Sequence, residues 1–262
     1  MELHIENNIL LGFKRDGHMW LNGEPEYMYL VVPDTITAIA DFAFDGCEEI
    51  IGVTIPGSVK FIGEKAFFCC RNLREIVMEE GVATIGDSAF EMGFFGDSLV
   101  LPNSIRSIGA YAFHDTSIYK LHMPEGLESI GPGAFHSCNW LESVSIPGTV
   151  KLLPEKAFAY CRELEKVSVG AGLRCIEAKA FFQCIHLAEV TFAEGLQHIE
   201  ADAFEECFEL AEIKLPKSLI CLDESAFRMC YEIEKVWLPE HLKDQAEAAF
   251  RDVYPEAQYI YY

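Results

Sequence analysis

Two histidines, His114 and His136, each follow a phenylalanine and stand 22 residues apart. If the chain folds back on itself at that interval, the two rings meet and could share a metal ion. A metal site needs three or four ligands, and no third ligand is evident beside them. The pair supports a metal-dependent enzyme or metal sensor as an alternative reading and nothing firmer. Other chemistry is weaker. His122 and the neighbouring Ser and Cys residues form no recognisable triad, which geometry rather than sequence defines. Ser143 and Ser145 lie in an alternating, strand-like stretch and not on a nucleophile elbow. Gly63, Gly86, Gly109 and Gly131 recur without a Gly-x-x-x-x-Gly-Lys loop to cradle phosphate. There are 10 cysteines but no Cys-x-x-Cys, so neither a redox pair nor a zinc knuckle is indicated. No cofactor, resident metal or catalytic residue is expected.

The elements that would position these side chains are set by a repeat. Ala-Phe occurs ten times, with the phenylalanines at 44, 67, 90, 113, 135, 158, 181, 204, 227 and 250. Every step is 23 residues except the 22 between Phe113 and Phe135. A period in the twenties denotes stacked supersecondary units, hence a solenoid. Eight residues before each Phe the residue is aliphatic, from Ile36 to Leu242. In Leu141-Glu142-Ser143-Val144-Ser145-Ile146-Pro147 apolar and polar residues alternate, as in a half-buried strand that proline ends. Around Ala157-Phe158, the spacing of Phe158 and Cys161 suits one helical turn aiming both inward. Seven cysteines fall three residues after Phe: Cys47, Cys70, Cys138, Cys161, Cys184, Cys207 and Cys230. They read as a column of small buried thiols.

The pattern Ile-Pro-x-x-Val-x-x-Ile-Gly-x-x-Ala-Phe-x-x-Cys-x-x-Leu-x-x-Val, read from Ile55 through Ile76, resembles the leucine-rich repeat of the BspA-like class. The resemblance covers roughly residues 31 to 250. It implies a right-handed arc with a parallel β-sheet on the concave side and short helical turns on the convex side. It also implies a bacterial repeat protein, since such proteins are often surface adhesins that bind host or matrix proteins.

One continuous domain is expected, in three parts: a capping hairpin over 1–30, the solenoid over 31–239 and a C-terminal cap over 240–262. The hairpin would turn at Asp16-Gly17, between Ile9–Phe13 and His18–Leu21. The cap would combine a helix from Glu240 to Asp252 with a last strand at 258–262. Ten strands about 4.8 Å apart give a body on the order of 50 Å long.

A net charge of −22 repels phosphate backbones and anionic membranes, so nucleic acid is a poor partner. No segment reaches the ~20 apolar residues needed to span a bilayer, and membrane insertion is not expected. The first residues show no secretory signal. That points to a cytoplasmic protein, or to a surface or secreted one whose signal has been removed. The expected role is non-enzymatic protein binding, because solenoids present extended surfaces. The contact residues would be the outward strand residues Arg74, Glu75, Tyr119, Lys120, His122, Glu142, Glu165, Lys166, Glu189, Lys214, Lys235 and Trp237. Tyr119 and Trp237 are the aromatic anchors. The repeat breaks at Gly93-Phe94-Phe95-Gly96, and the next unit is one residue short. Phe94 and Phe95 are therefore a possible second patch.

Overall fold

The computed structural model describes residues 2–13, 27–96, 98–253 and 257–262. The repeat folds into a parallel β-solenoid of about ten turns. A regular turn contributes a longer strand and, after a corner that most repeats mark with proline, a two-residue strand. Val144, Val167 and Val190 pair in register on successive longer strands, Ser143–Ile146, Lys166–Val169 and Glu189–Phe192. Ile39, Ile62, Ile85, Ile108 and Ile130 do the same on the short ones. These inward residues are buried, and the alternating residues face solvent. The missing residue of the fourth turn lies between His114 and Lys120. Met92 N still donates to His114 O, 22 positions on, as in regular turns, whereas Ser98 pairs with Lys120.

The Ala-Phe segment is built of tight turns rather than a helix. Lys65 and Cys69, two residues either side of Phe67, have φ of 51° and 54°. Lys156 and Tyr160 repeat this around Phe158, with φ of 58° and 62°. Left-handed residues cannot continue an α-helix, and each costs about 1–2 kcal/mol. Inter-rung hydrogen bonds offset that cost. Phe67 N donates to Ala89 O at 2.8 Å and Cys69 N to Glu91 O at 2.9 Å. The amides that a helix would satisfy within itself are satisfied by the next turn of the solenoid.

The ten repeat phenylalanines form one stack. Successive ring centroids lie 4.9–5.6 Å apart, with planes within 4–18° of each other. The thiol column has a polar reason as well as a packing one. Cys161 Sγ donates to Phe135 O at 3.1 Å and Cys184 Sγ to Phe158 O at 3.2 Å, and four other members repeat the bond. Alanine would leave a small gap and that carbonyl with one fewer donor. In the short fourth turn Thr116 stands in the cysteine position, but its Oγ1 donates within its own turn, to Phe113 O at 2.8 Å, and not to the phenylalanine carbonyl of the turn before. All ten cysteines are free thiols.

Both ends of the stack are covered. Leu3–Glu6 and Ile9–Phe13 form an antiparallel hairpin turning at Asn7-Asn8, with φ of 51° and 62°. Two left-handed residues suit a type I′ turn. Phe13 meets Phe44 edge-on at 5.1 Å. The Asp16-Gly17 turn and the strand at His18–Leu21 lie outside the described residues. At the other end, Glu240–Leu242 and the helix Lys243–Ala249 lead to Phe250. Gln258–Tyr261 then pairs in parallel with Lys235–Leu238, and Tyr259 packs edge-on against Phe250 at 6.3 Å.

Candidate functional site

The longer strands carry a grid of outward side chains. Register places Ser98, Lys120, Ser143, Lys166 and Glu189 in one row, and Glu212, Lys235 and Gln258 in another. Arg74, Glu75, Tyr119, Lys120, His122, Glu142, Glu165, Lys166, Glu189 and Lys214 are exposed on this face. Lys235 and Trp237 are half-buried, and Trp237 stands between Lys214 and Ile260 on its neighbours. Parts of the grid are already paired. Lys166 Nζ lies 2.6 Å from Glu189 Oε2, and Lys235 Nζ 2.7 Å from Glu212 Oε1. The Glu212 carboxylate holds the Lys235 ammonium above its ordinary range. Exposed pairs of this kind add at most about 1 kcal/mol of stability. Their larger effect is to leave the surface nearly neutral at those rungs.

Tyr119 does not stand alone. Its ring stacks on Trp140, with centroids 5.5 Å apart and planes at 30°. Trp140 occupies the turn position where other repeats carry Glu163, Glu209 or Glu232. A large aromatic there is a departure that strand-based reading passes over.

The stack opens into a groove at the broken repeats. One part, about 400 Å³, is lined by Arg71, Phe94, Asp115, Asn139 and Trp140 among others. The adjoining part, about 480 Å³, is lined by Asn139, Trp140, Tyr160, Arg162 and Glu163. The two adjacent phenylalanines part company here. Phe94 is 57% exposed, whereas Phe95 is 3% exposed and meets Phe90 and Phe113 edge-on. Gly93 leaves room for that ring, since a Cβ there would strike it. Phe95 thus belongs to the core and Phe94 to the surface.

His114 and His136 do come together, with ring centroids 4.9 Å apart. One nitrogen of each ring is engaged: His114 Nδ1 lies 3.0 Å from Glu91 Oε1, and His136 Nδ1 2.8 Å from Ser137 Oγ. Among the described residues no group of three or more His, Cys, Asp or Glu side chains is arranged to hold a metal ion. Burial, then the neighbouring His114 and Lys156, lower His136 to about 4 from 6.5. The sign follows: between pH 6.5 and 4 the unfolded chain takes up a proton that the folded chain refuses, so stability falls as pH falls through that window. Discounted for its partial exposure, the loss at about pH 5 is on the order of 1 kcal/mol. His136→Gln should remove this component, seen as a smaller shift in denaturant midpoint between neutral and mildly acid pH. An unchanged shift would contradict the assignment.

Cys175, His198 and Cys221 also stand in register, on the two-residue strands. Cys175 Sγ lies 3.7 Å from Glu200 Oε1, and burial followed by the Glu200 charge pushes its thiol up to about 12. A thiol kept protonated is a poor nucleophile.

The sequence profile of the BspA type leucine rich repeat region matches over residues 24–139, 96–192 and 152–255. The chain belongs to this family. Among solved structures, the Treponema pallidum leucine rich repeat protein is 24% identical. That match covers 80% of this chain and 87% of the other, with a TM-score of 0.56. The pneumococcal vaccine antigen PcpA is 15% identical, covering 89% and 79%, with a TM-score of 0.50. A Faecalibacterium prausnitzii protein described as a leucine rich cell surface protein is 17% identical, covering 100% and 95%, with a TM-score of 0.44. At these identities the likeness is one of fold. No curated protein matches the chain. The matching structures are bacterial repeat proteins and lend no support to a cytoplasmic location. No helix among the described residues is long and apolar enough to cross a membrane.

Proposed function

We propose that the chain is a non-enzymatic protein-binding module that meets its partner on the face of the longer strands. The observation that carries this reading is the grid itself: exposed, mixed-charge side chains held at fixed spacing by paired backbone, with the Tyr119–Trp140 stack at its margin. A preformed surface loses little conformational freedom on binding, and aromatic anchors contribute disproportionately to interface energy. A net charge of −22 favours a partner with a basic surface. Family membership extends the reading to a host or matrix protein met at a bacterial surface.

The test is affinity capture by the intact protein and by a Tyr119→Ala, Trp237→Ala variant of equal thermal stability. Prey are a lysate of the source cell and, separately, extracellular host proteins. A partner retained by the first bait and lost by the second is the expected result. Equal recovery by both would move the interface off this face.

A further inference from the structure

The groove beside the sheet has features that the flat face lacks. Trp140 is 50% exposed although its ring is stacked on Tyr119. The indole is thereby fixed by packing while much of its surface stays open to solvent. Planar, fork-shaped polar groups surround it: Asn139, Glu163, Arg162, Asp115 and Arg71. Among the described residues none of the four charged members forms an ion pair. The Asn139 amide nitrogen donates to Ser137 O at 3.0 Å, and its carbonyl oxygen is left to accept.

Two arguments select the occupant. The first is charge. Two arginines cancel one aspartate and one glutamate, so the groove is locally neutral in a chain of net charge −22. A cation would meet the arginines, and an anion would meet the carboxylates and the overall field. The second is the backbone. Arg71 N donates to Cys69 O, Asn139 N to Ser137 O and Glu163 N to Asn139 O. None of the residues lining the groove belongs to a strand, so the groove offers no strand edge to an extended peptide, a mode that relies on main-chain bonds. What it offers is an apolar ring face and side chains that donate or accept in pairs.

We infer that this groove binds a neutral saccharide. One sugar ring lays its C–H face on Trp140, and neighbouring hydroxyls bridge the forked side chains of Asn139, Arg162 and Glu163. Each half of the groove, about 400 and 480 Å³, falls within the roughly 300–1,000 Å³ of small-ligand clefts. Binding here does not depend on the protein-binding role of the sheet.

The experiment is calorimetric titration of the whole chain with neutral tetrasaccharides: cellotetraose, xylotetraose, chitotetraose, maltotetraose and mannotetraose. Saturable binding of at least one is expected, with affinity falling about tenfold or more in Trp140→Ala. Glu163→Gln should also weaken it, and Trp237→Ala should leave it unchanged. Circular dichroism of each variant excludes unfolding as the cause. No saturable binding by any of the five would overturn the inference. So would binding that Trp140→Ala leaves intact. Trp140-dependent binding of a peptide, with none of the sugars bound, would assign the groove to a different class of ligand and overturn it equally.

Discussion

Phe158→Ala should lower the stability of the chain by about 3–5 kcal/mol. Phe158 is fully buried in the middle of the stack, with ring centroids 5.2 Å from Phe135 and 5.6 Å from Phe181. Truncation removes both ring contacts and leaves a cavity that rigid neighbours cannot close. Solenoid stability is a sum of repeat terms and nearest-neighbour interfaces, so a weakened middle rung loosens two interfaces. Denaturant unfolding should show a lower midpoint, with a broadened or two-step transition if the halves uncouple. An unchanged midpoint would contradict the inward placement of the phenylalanine column.

The second large effect is expected at Gly12. Its φ is 118°, and a Cβ there would run into the backbone carbonyl of Ala43. Gly12→Val therefore combines conformational strain of about 1–3 kcal/mol with a clash against backbone that cannot swing aside. The N-terminal hairpin should detach and uncover the Phe44 end of the core. Hydrogen exchange is the measurement: amides of Leu3–Phe13 should lose their protection while those of the central strands keep it. Gly46 is the control. Its φ is 66° and nothing lies within 4 Å of its Cβ position. Cys69, Tyr160 and Glu206 occupy the equivalent place in other repeats with φ of 54–62°. Gly46→Asn should cost at most about 1 kcal/mol. Equal effects at Gly12 and Gly46 would show that the close approach to Ala43 is not what requires glycine.

The inward half of this protein is written in its sequence, because the same rung must pack against itself ten times. The phenylalanine, cysteine and aliphatic columns follow directly from the 23-residue period. The Ala-Phe turn does not. A spacing of three places Phe158 and Cys161 on one side of a helical turn or of two consecutive β-turns, and the left-handed residues that decide between them include lysine, tyrosine and cysteine, which carry no turn signature. Asn7-Asn8 and Asp16-Gly17 are both acceptable hairpin turns, and local chemistry does not rank them.

The outward half depends on register, and some of that was legible. Lys166 and Glu189 stand 23 residues apart, which in this fold means side by side, so their pairing could have been anticipated from the period. Trp140 could have been flagged as an aromatic at a position where other repeats carry glutamate. The fates of Phe94 and Phe95 were less accessible. They sit where the period is broken, and which ring enters the core depends on the space beside Gly93.

The central claim is that the longer-strand face is where a partner binds. Hydroxyl-radical footprinting of the complex with the captured partner tests it most directly. Protection of Tyr119, His122 and Trp237, with Tyr111 and His136 on the opposite turns unchanged, is the result this account predicts. Protection confined to those turns, with Tyr119 and Trp237 as reactive as in the free chain, would contradict it.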